Sequence, residues 1–222
     1  MSTPETPPAV PVRDNRFSRL RAATDRVPTK WFVSGLTGVF LVATAAFGGM
    51  ADAVSPDPAT LAIGETRTTA QLSIEVRDVV VIDALPEFSM TPEPGHRAVA
   101  VLAYVTNEWT EPQRASPDGN GLRDTLRIGL EGMDDAAPVE IARIDDNTSR
   151  PVLQPGLRVP LAFVWSVPDD LIVDGQSIEV RVFDQTLYTA SVTVSGQWWD
   201  DPTLAATLDA DVTDLGTGED AS

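Results

Sequence analysis

A period-two alternation of apolar and polar side chains is the strongest constraint on how this chain folds. Between residues 157 and 168, one face of the chain carries Leu157, Val159, Leu161, Phe163, Trp165 and Val167. Successive side chains of a β-strand point to opposite faces, so this spacing predicts a strand with one buried face. Pro160 cannot donate a ladder hydrogen bond, which predicts an edge or a bulge at that point.

Similar runs occupy residues 72–82, 97–107, 126–130, 139–144, 178–182 and 188–194. The run at 97–107 is apolar on both faces, as a central strand would be, and a phase slip within 72–82 predicts a bulge. Turn sequences lie between the runs, namely Glu93-Pro94-Gly95, 118–121, Pro155-Gly156, Asp174-Gly175 and Asp184-Gln185-Thr186. We therefore predict an all-β fold over residues 61–196, an antiparallel β-sandwich of about seven or eight strands.

An uncharged apolar run precedes the strands. Residues 31–51 contain no Asp, Glu, Lys or Arg, and a helix of this length spans about 30 Å, the thickness of a bilayer core. This predicts a single transmembrane helix over 31–51, which acts as an uncleaved signal anchor. The small residues of Ala51-Asp52-Ala53 leave a second interpretation open, in which the segment is a signal peptide cleaved after Ala53.

Charge predicts the orientation of that helix. Residues 1–30 hold six basic and three acidic side chains, whereas residues 31–222 hold ten basic and thirty acidic ones. Basic residues stay on the cytoplasmic side, so we expect residues 1–30 to form a disordered basic cytoplasmic tail. The residues expected to determine this topology are Arg19, Arg21, Arg26, Lys30 and Trp31. A linker over 52–60 would then lead to an extracytoplasmic domain.

Composition excludes several classes of protein. The absence of cysteine excludes disulfide frameworks, thiolate metal sites and cysteine nucleophiles. The formal net charge of −17 argues against nucleic-acid binding, which needs a basic surface to replace counterions. We expect no cofactor and no resident metal.

The carboxyl-terminal segment, residues 197–222, is acidic, and we predict a short helix in it. Asp201 and Pro202 are typical of a helix start. An apolar stripe recurs at helical spacing, comprising Leu204, Leu208, Val212 and Leu215. This apolar stripe would pack on the sandwich itself or serve as a partner helix. The proposed partner surface comprises Trp109, Trp198, Trp199, Leu204 and Leu208, because tryptophans are enriched at binding hot spots.

A catalytic interpretation is weaker. His96 lies in a turn near Glu93, where it could act as a base, and four aspartate pairs, at 134–135, 145–146, 169–170 and 200–201, could supply calcium ligands. No Gly-x-Ser-x-Gly elbow and no calcium-loop spacing accompany them. The favoured function is a non-catalytic binding or accessory module for an envelope or membrane protein, and the alternative is an exported hydrolase or calcium-dependent protein.

Two segments also resemble a known family. GHRAVAVLAYVTNEWTEP, at 95–112, and VLQPGLRVPLAFVWSVPDD, at 152–170, are similar to strands of bacterial telokin-like, immunoglobulin-like extracellular domains. The resemblance covers about residues 62–195, and the acidic carboxyl-terminal tail departs from it. It implies that the predicted sandwich is immunoglobulin-like, and that it is an exported domain behind a lipid or helical anchor, in a family whose roles are mostly unassigned. Asn107, at the end of the first segment, is expected to bond to local backbone.

Overall fold

A computed structural model describes residues 37–40, 42–44, 57–83, 91–118, 122–134, 136–190 and 196–216. The chain divides into two compact units, Met1–Ser55 and Pro56–Ser222. In the first unit, residues 37–40 and 42–44 are helical and expose Val39, Phe40 and Val42. Within the described residues, no helix has the length and apolar character needed to cross a bilayer. Most of the predicted span 31–51, and all five topology residues, lie outside the described part of the chain.

The described residues of the second unit form β-strands joined by turns and two short 3-10 segments, Leu122–Asp124 and Asp169–Leu171. In chain order the strands are β1 Ala59–Thr60, β2 Thr66–Thr68, β3 Leu72–Ile82, β4 His96–Asn107, β5 Gln113–Arg114, β6 Leu126–Gly129, β7 Glu140–Arg143, β8 Thr148–Ser149, β9 Val152–Leu153, β10 Arg158–Pro168, β11 Ser177–Ala190 and β12 Gly196–Asp214. The unit is therefore an all-β domain.

Two sheet layers share β12. One layer contains β6, β11 and most of β12, with β1 on its edge; the other contains β3, β4, β10, β7 and β8, with β2 beside β3. Strand β12 runs antiparallel to β11 and then pairs in parallel with β3 through Val212–Asp214. Strands β5 and β9 form a separate pair. The layers pack as a β-sandwich, which confirms the predicted sandwich architecture.

The core lies between the inner faces of the two layers. Its members are apolar residues at alternating strand positions, including Ile74, Val101, Leu161, Phe163 and Trp165 from one layer and Leu126, Ile128, Val180, Val182, Ala206 and Leu208 from the other. The indole Nε1–H of Trp165 donates to the carbonyl of Ala136 at 2.9 Å, so this buried ring keeps its hydrogen bond. The predicted buried face of 157–168 is confirmed from Val159 to Val167, whereas Leu157 lies before β10 and is 49% exposed.

Three local predictions agree with the strand pairing. The ladder between β3 and β4 shifts register between Val76 and Asp78, where the phase slip predicted a bulge. Strand β4 pairs with both β3 and β10, so it is central. The ladder between β10 and β7 ends at Leu161; the carbonyl of Pro160 still accepts from the N–H of Ile144 at 3.1 Å, and Pro160 has no N–H to return that bond.

Two predictions are wrong. Asp184-Gln185-Thr186 is a bulge inside β11, not a turn, because β12 pairs with β11 on both sides of it. The predicted carboxyl-terminal helix is instead strand β12, which spans Gly196–Asp214. Its backbone hydrogen bonds go to β11 and β3, and the side chains that it buries alternate with a period of two: Ala206, Leu208, Ala210 and Val212.

An ion-pair clamp joins the end of β12 to β4. Arg97 bonds both carboxylate oxygens of Asp214, at 2.6 and 2.7 Å, and its Nε bonds Asp83 at 2.7 Å. Together with the backbone N–H of Gly216, the Arg97 guanidinium lowers the pKa of Asp214 to about 2. The paired carboxylates raise the pKa of Arg97 in turn. This clamp fixes β12 where it passes from one layer to the other.

The clamp predicts that part of the free energy of unfolding is lost in acid. Because the pKa of Asp214 is lower in the folded chain than its ordinary value near 4, its contribution is complete above about pH 4 and is lost as the pH falls to about 2. Its side chain is 30% exposed, so we expect a contribution of about 1–2 kcal/mol after solvent screening. Urea unfolding between pH 5 and 2 gives the free energy of unfolding of the wild type and of Asp214→Asn. The difference between the two should become smaller as the pH falls. Asp209→Asn, at an exposed carboxylate, is the matched control, and a difference that stays constant from pH 5 to 2 contradicts the prediction.

Candidate functional site

A two-stranded arm extends from one end of the sandwich. Residues 186–190 of β11 pair with residues 196–200 of β12, whereas β6 pairs only with 179–182 and β1 only with 206–207. In the described part of the chain, the two strands of the arm therefore pair with each other and with no third strand. It lies at the end of the sandwich where β4 finishes, opposite the end that holds the Arg97 clamp.

A backbone irregularity marks the base of the arm. The register between β11 and β12 shifts between Asp184 and Thr186, and Asp201 has a φ of +59°. Aspartate tolerates this left-handed conformation better than most residues, because its short side chain bonds locally. Asp201 and Pro202, predicted to start a helix, thus form a strand bulge. Bulges bend a strand and re-aim the side chains beyond it.

Four aromatic side chains form two pairs at the arm, and we call Trp109, Tyr188, Trp198 and Trp199 the aromatic cluster. Trp109 and Trp199 pack edge to face, with ring centroids 5.8 Å apart and an interplanar angle of 87°. Tyr188 and Trp198 are stacked, with centroids 6.0 Å apart and an angle of 18°. Of the three tryptophans that the sequence proposed as partner residues, the structure brings Trp109 and Trp199 into contact, whereas Trp198 stacks on Tyr188.

The two aromatic pairs lie on opposite faces of the arm, because adjacent residues of a strand point in opposite directions. Trp199 is 8% exposed, against Trp109 at the end of β4. Trp198 faces the other way and is half-buried, and Tyr188, its cross-strand neighbour, is 40% exposed. The Trp109–Trp199 pair therefore attaches the arm, and the Tyr188–Trp198 pair is presented to solvent.

A buried polar network holds the segment that carries Trp109. The side-chain amide of Asn107 donates to the carbonyls of Glu111, at 2.8 Å, and Leu153, at 3.1 Å. Its Oδ1 accepts from the backbone N–H of Trp109, at 3.0 Å, and from Gln113 Nε2. Gln113 in turn accepts from Gln71 Nε2 at 2.8 Å. The predicted bonding of Asn107 to local backbone is confirmed, and it fixes the position of Trp109.

Carboxylates surround the aromatic cluster. Glu108 and Glu111 flank Trp109, and Asp200 and Asp201 follow Trp199; all four are exposed. Within the described residues, none of these carboxylates forms an ion pair, although most of the domain's arginines do. The cluster therefore lies in a field that attracts positive charge.

The two leucines proposed as partner residues have other environments. Leu208 is 2% exposed and packs in the core, so its assignment to a partner surface is wrong. Leu204 is half-buried opposite Phe183. The environment of Leu208 follows from the strand geometry of β12, which turns Leu208 inward together with Ala206 and Ala210.

The residues of the catalytic alternative are dispersed. Asp145 and Asp146 pair with Arg143, which lowers the pKa of Asp145. The pair at 169–170 lies in a 3-10 segment beside His96, the first residue of β4, whereas the pair at 200–201 lies on the arm. Asp134 pairs with Arg181, and its neighbour at 135 is outside the described residues. Among the described residues, no three His, Cys, Asp or Glu side chains are grouped to hold a metal ion.

Sequence reasoning missed Tyr188, Gln71 and Gln113. A signal existed for Tyr188, since it lies in a run predicted as a strand, a short distance before the paired tryptophans. No local signal identifies Gln71 and Gln113, because the hydrogen bond between them joins residues 42 positions apart.

No family model and no curated protein matches this sequence. Among solved structures, the chain is similar to an uncharacterized β-sandwich protein of Clostridium difficile, with 11% identity and a TM-score of 0.45 over 72% of this chain and 97% of that one. It is also similar to a conserved hypothetical protein of Bacillus anthracis, with 18% identity and a TM-score of 0.35 over 55% of this chain and 87% of that one. Neither similarity carries an argument about function, which must be inferred from the site.

Proposed function

We propose that this chain is a single-pass membrane protein whose extracytoplasmic β-sandwich is a non-catalytic binding module for an envelope or membrane protein. Within the aromatic cluster, the outward Tyr188–Trp198 pair is its contact surface. The observation that carries this proposal is the exposed, stacked Tyr188–Trp198 pair on an arm that packs on the domain through Trp109 and Trp199.

Rigid aromatic side chains suit this role. Tyrosine and tryptophan bury a large area on binding and have few rotatable bonds, so ordering them costs little entropy. The Asn107 network and the Trp109–Trp199 contact restrain the base of the arm before any partner arrives. Pre-organisation of this kind reduces the cost of association.

The membrane topology and the family are further parts of the proposal. The uncharged run at 31–51 and the basic excess before it support an anchor with a cytoplasmic amino terminus. We propose that the sandwich belongs to the telokin-like, immunoglobulin-like class. The two segments that carry that resemblance form β4 and β10, which are adjacent strands of one layer.

Site-specific cross-linking tests the proposal. A photoreactive amino acid in place of exposed Thr186, which shares a strand face with Tyr188 and Trp198, should yield a discrete cross-linked product in intact cells, and protease added outside should digest it. The added substitution Trp198→Ala should reduce the yield at least about fivefold, as expected for the loss of a hot-spot aromatic.

The matched control places the same photoreactive group at Val173, which is 60% exposed at the opposite end of the sandwich. That position should give only background products. Identical products from both positions would remove the Tyr188–Trp198 pair as the contact surface. A product that protease reaches only after the cells are opened would exclude the proposed topology.

A further inference from the structure

The outward Tyr188–Trp198 pair differs from two other partly exposed aromatic side chains of the domain, Tyr104 and Phe183. Tyr104 is covered by the guanidinium of Arg158, 3.9 Å from the ring centroid, and Phe183 has the guanidinium of Arg127 at 5.9 Å. In the described part of the domain, no such cation lies over Tyr188 or Trp198. A cation over an aromatic face is attracted by the ring quadrupole. The rings of Tyr104 and Phe183 already have an arginine of the same domain in this position, whereas the rings of Tyr188 and Trp198 have none from the described residues.

A carboxylate accompanies the pair. Asp200 lies two residues beyond Trp198 on the same strand, and Thr186, its cross-strand partner, lies two residues before Tyr188. Residues two apart on a strand share a face, so the carboxylate of Asp200 belongs to the surface that presents the stacked rings. Asp200 is exposed and has no ion pair within the described residues.

The domain's own contacts show what such a surface accepts. Arg158 combines both interactions, since it covers the ring of Tyr104 and bonds the carboxylate of Glu75 at 2.6 Å. Arg127 likewise covers Phe183 and pairs with Asp124. Tyr188, Trp198 and Asp200 offer the same combination of ring and carboxylate, without the arginine.

We infer that the Tyr188–Trp198 surface binds an arginine side chain presented by the protein partner, with the guanidinium on the exposed ring face and paired to Asp200. This inference rests on the proposed binding function and adds the chemistry of the partner. Arginine fits better than lysine, because its planar guanidinium both stacks on a ring and bonds a carboxylate in two places. The excess of acidic residues, thirty against ten over residues 31–222, steers such a basic segment toward the domain.

A peptide titration tests the inference on the full chain in an uncharged detergent. The probe is Gly-Arg-Gly-Arg-Gly-Arg-Gly amide, and its control has citrulline at each arginine, which keeps the shape and removes the charge. We expect the arginine peptide to shift the indole N–H resonance of Trp198 saturably, with the resonance assigned from Trp198→Phe. The citrulline peptide should cause no saturable shift.

Matched variants separate the site from general charge attraction. Tyr188→Ala should weaken peptide binding by about three- to tenfold, and Asp200→Asn by about threefold. Tyr104→Ala removes a ring of similar exposure that Arg158 already covers, and Asp209→Asn removes an exposed charge elsewhere on β12; neither should change the affinity. Because Asp200 is an exposed residue, Asp200→Asn tests the site even where Tyr188→Ala disturbs the arm.

Equal binding of both peptides, or equal weakening by the site variants and their controls, overturns the inference. So does a cross-linked partner whose yield is unchanged by both Tyr188→Ala and Asp200→Asn, and that result leaves the proposed binding function standing. If the arginine peptide binds specifically but no cross-linked product forms in cells, the arginine site is supported and the proposed function is contradicted.

Discussion

Replacing Phe163 by alanine should lower the free energy of unfolding by about 3–5 kcal/mol. Phe163 is fully buried in β10, opposite Val101 of β4 and Ile141 of β7. Ladders on both sides hold the strand, so its neighbours cannot collapse fully into the space left by the ring. The cost of that cavity adds to the lost burial of the ring. A loss of this size is a large part of the roughly 5–15 kcal/mol that stabilises an ordinary domain.

Urea unfolding of the purified chain, followed by tryptophan fluorescence, measures this effect through the buried ring of Trp165. Leu157→Ala is the control, since Leu157 precedes the same strand and is 49% exposed; it should cost less than about 1 kcal/mol. The dependence on urea concentration should be unchanged, because the same surface is exposed on unfolding. A loss below about 1 kcal/mol for Phe163→Ala would mean that the core at this position is not packed as described.

Asn107→Ala should have the second largest effect, a loss of about 2–4 kcal/mol. The substitution removes four hydrogen bonds of the buried network and leaves the side-chain amide of Gln113 with its longer contact to the carbonyl of Gln71, at 3.5 Å. An unsatisfied buried polar group costs more than the net contribution of a typical hydrogen bond. It should also loosen the segment that carries Trp109, since the N–H of Trp109 loses its acceptor.

Two measurements distinguish this effect from a simple loss of stability. Urea unfolding gives the free energy, and near-ultraviolet circular dichroism should show a weakened signal from the Trp109–Trp199 contact in the folded variant. Gln154→Ala, at an exposed position near the same end, is the control and should change neither quantity. A stable Asn107→Ala variant with an unaltered dichroism signal would show that the network does not hold the cluster.

Local patterns predicted most of the sandwich. The alternation within β10 identified the buried face that holds Leu161, Phe163 and Trp165, and the double-sided apolar run identified β4 as central. The phase slip located the bulge of β3 near Arg77. These features depend on neighbouring residues of one strand, so they can be read from the order of side chains.

The carboxyl-terminal segment shows where local patterns are insufficient. Leu204, Leu208 and Val212 fit the helical period, whereas Ala206, Leu208, Ala210 and Val212 fit the period of a strand. The strand pattern was the less visible of the two in the sequence, because two of its four members are small alanines. The segment becomes a strand because β11 and β3 supply backbone partners along its length, and those partners lie elsewhere in the sequence.

The sequence by itself determined that this chain has a two-layered all-β domain, no cysteine and a large excess of acidic residues. Only the tertiary structure decided that Trp109 meets Trp199, that Tyr188 stacks on Trp198, and that Leu208 belongs to the core. The physical reason is the distance along the chain between the groups that meet. Trp109 and Trp199 are separated by most of the sandwich in sequence, and only the pairing of the strands between them brings the two rings into contact.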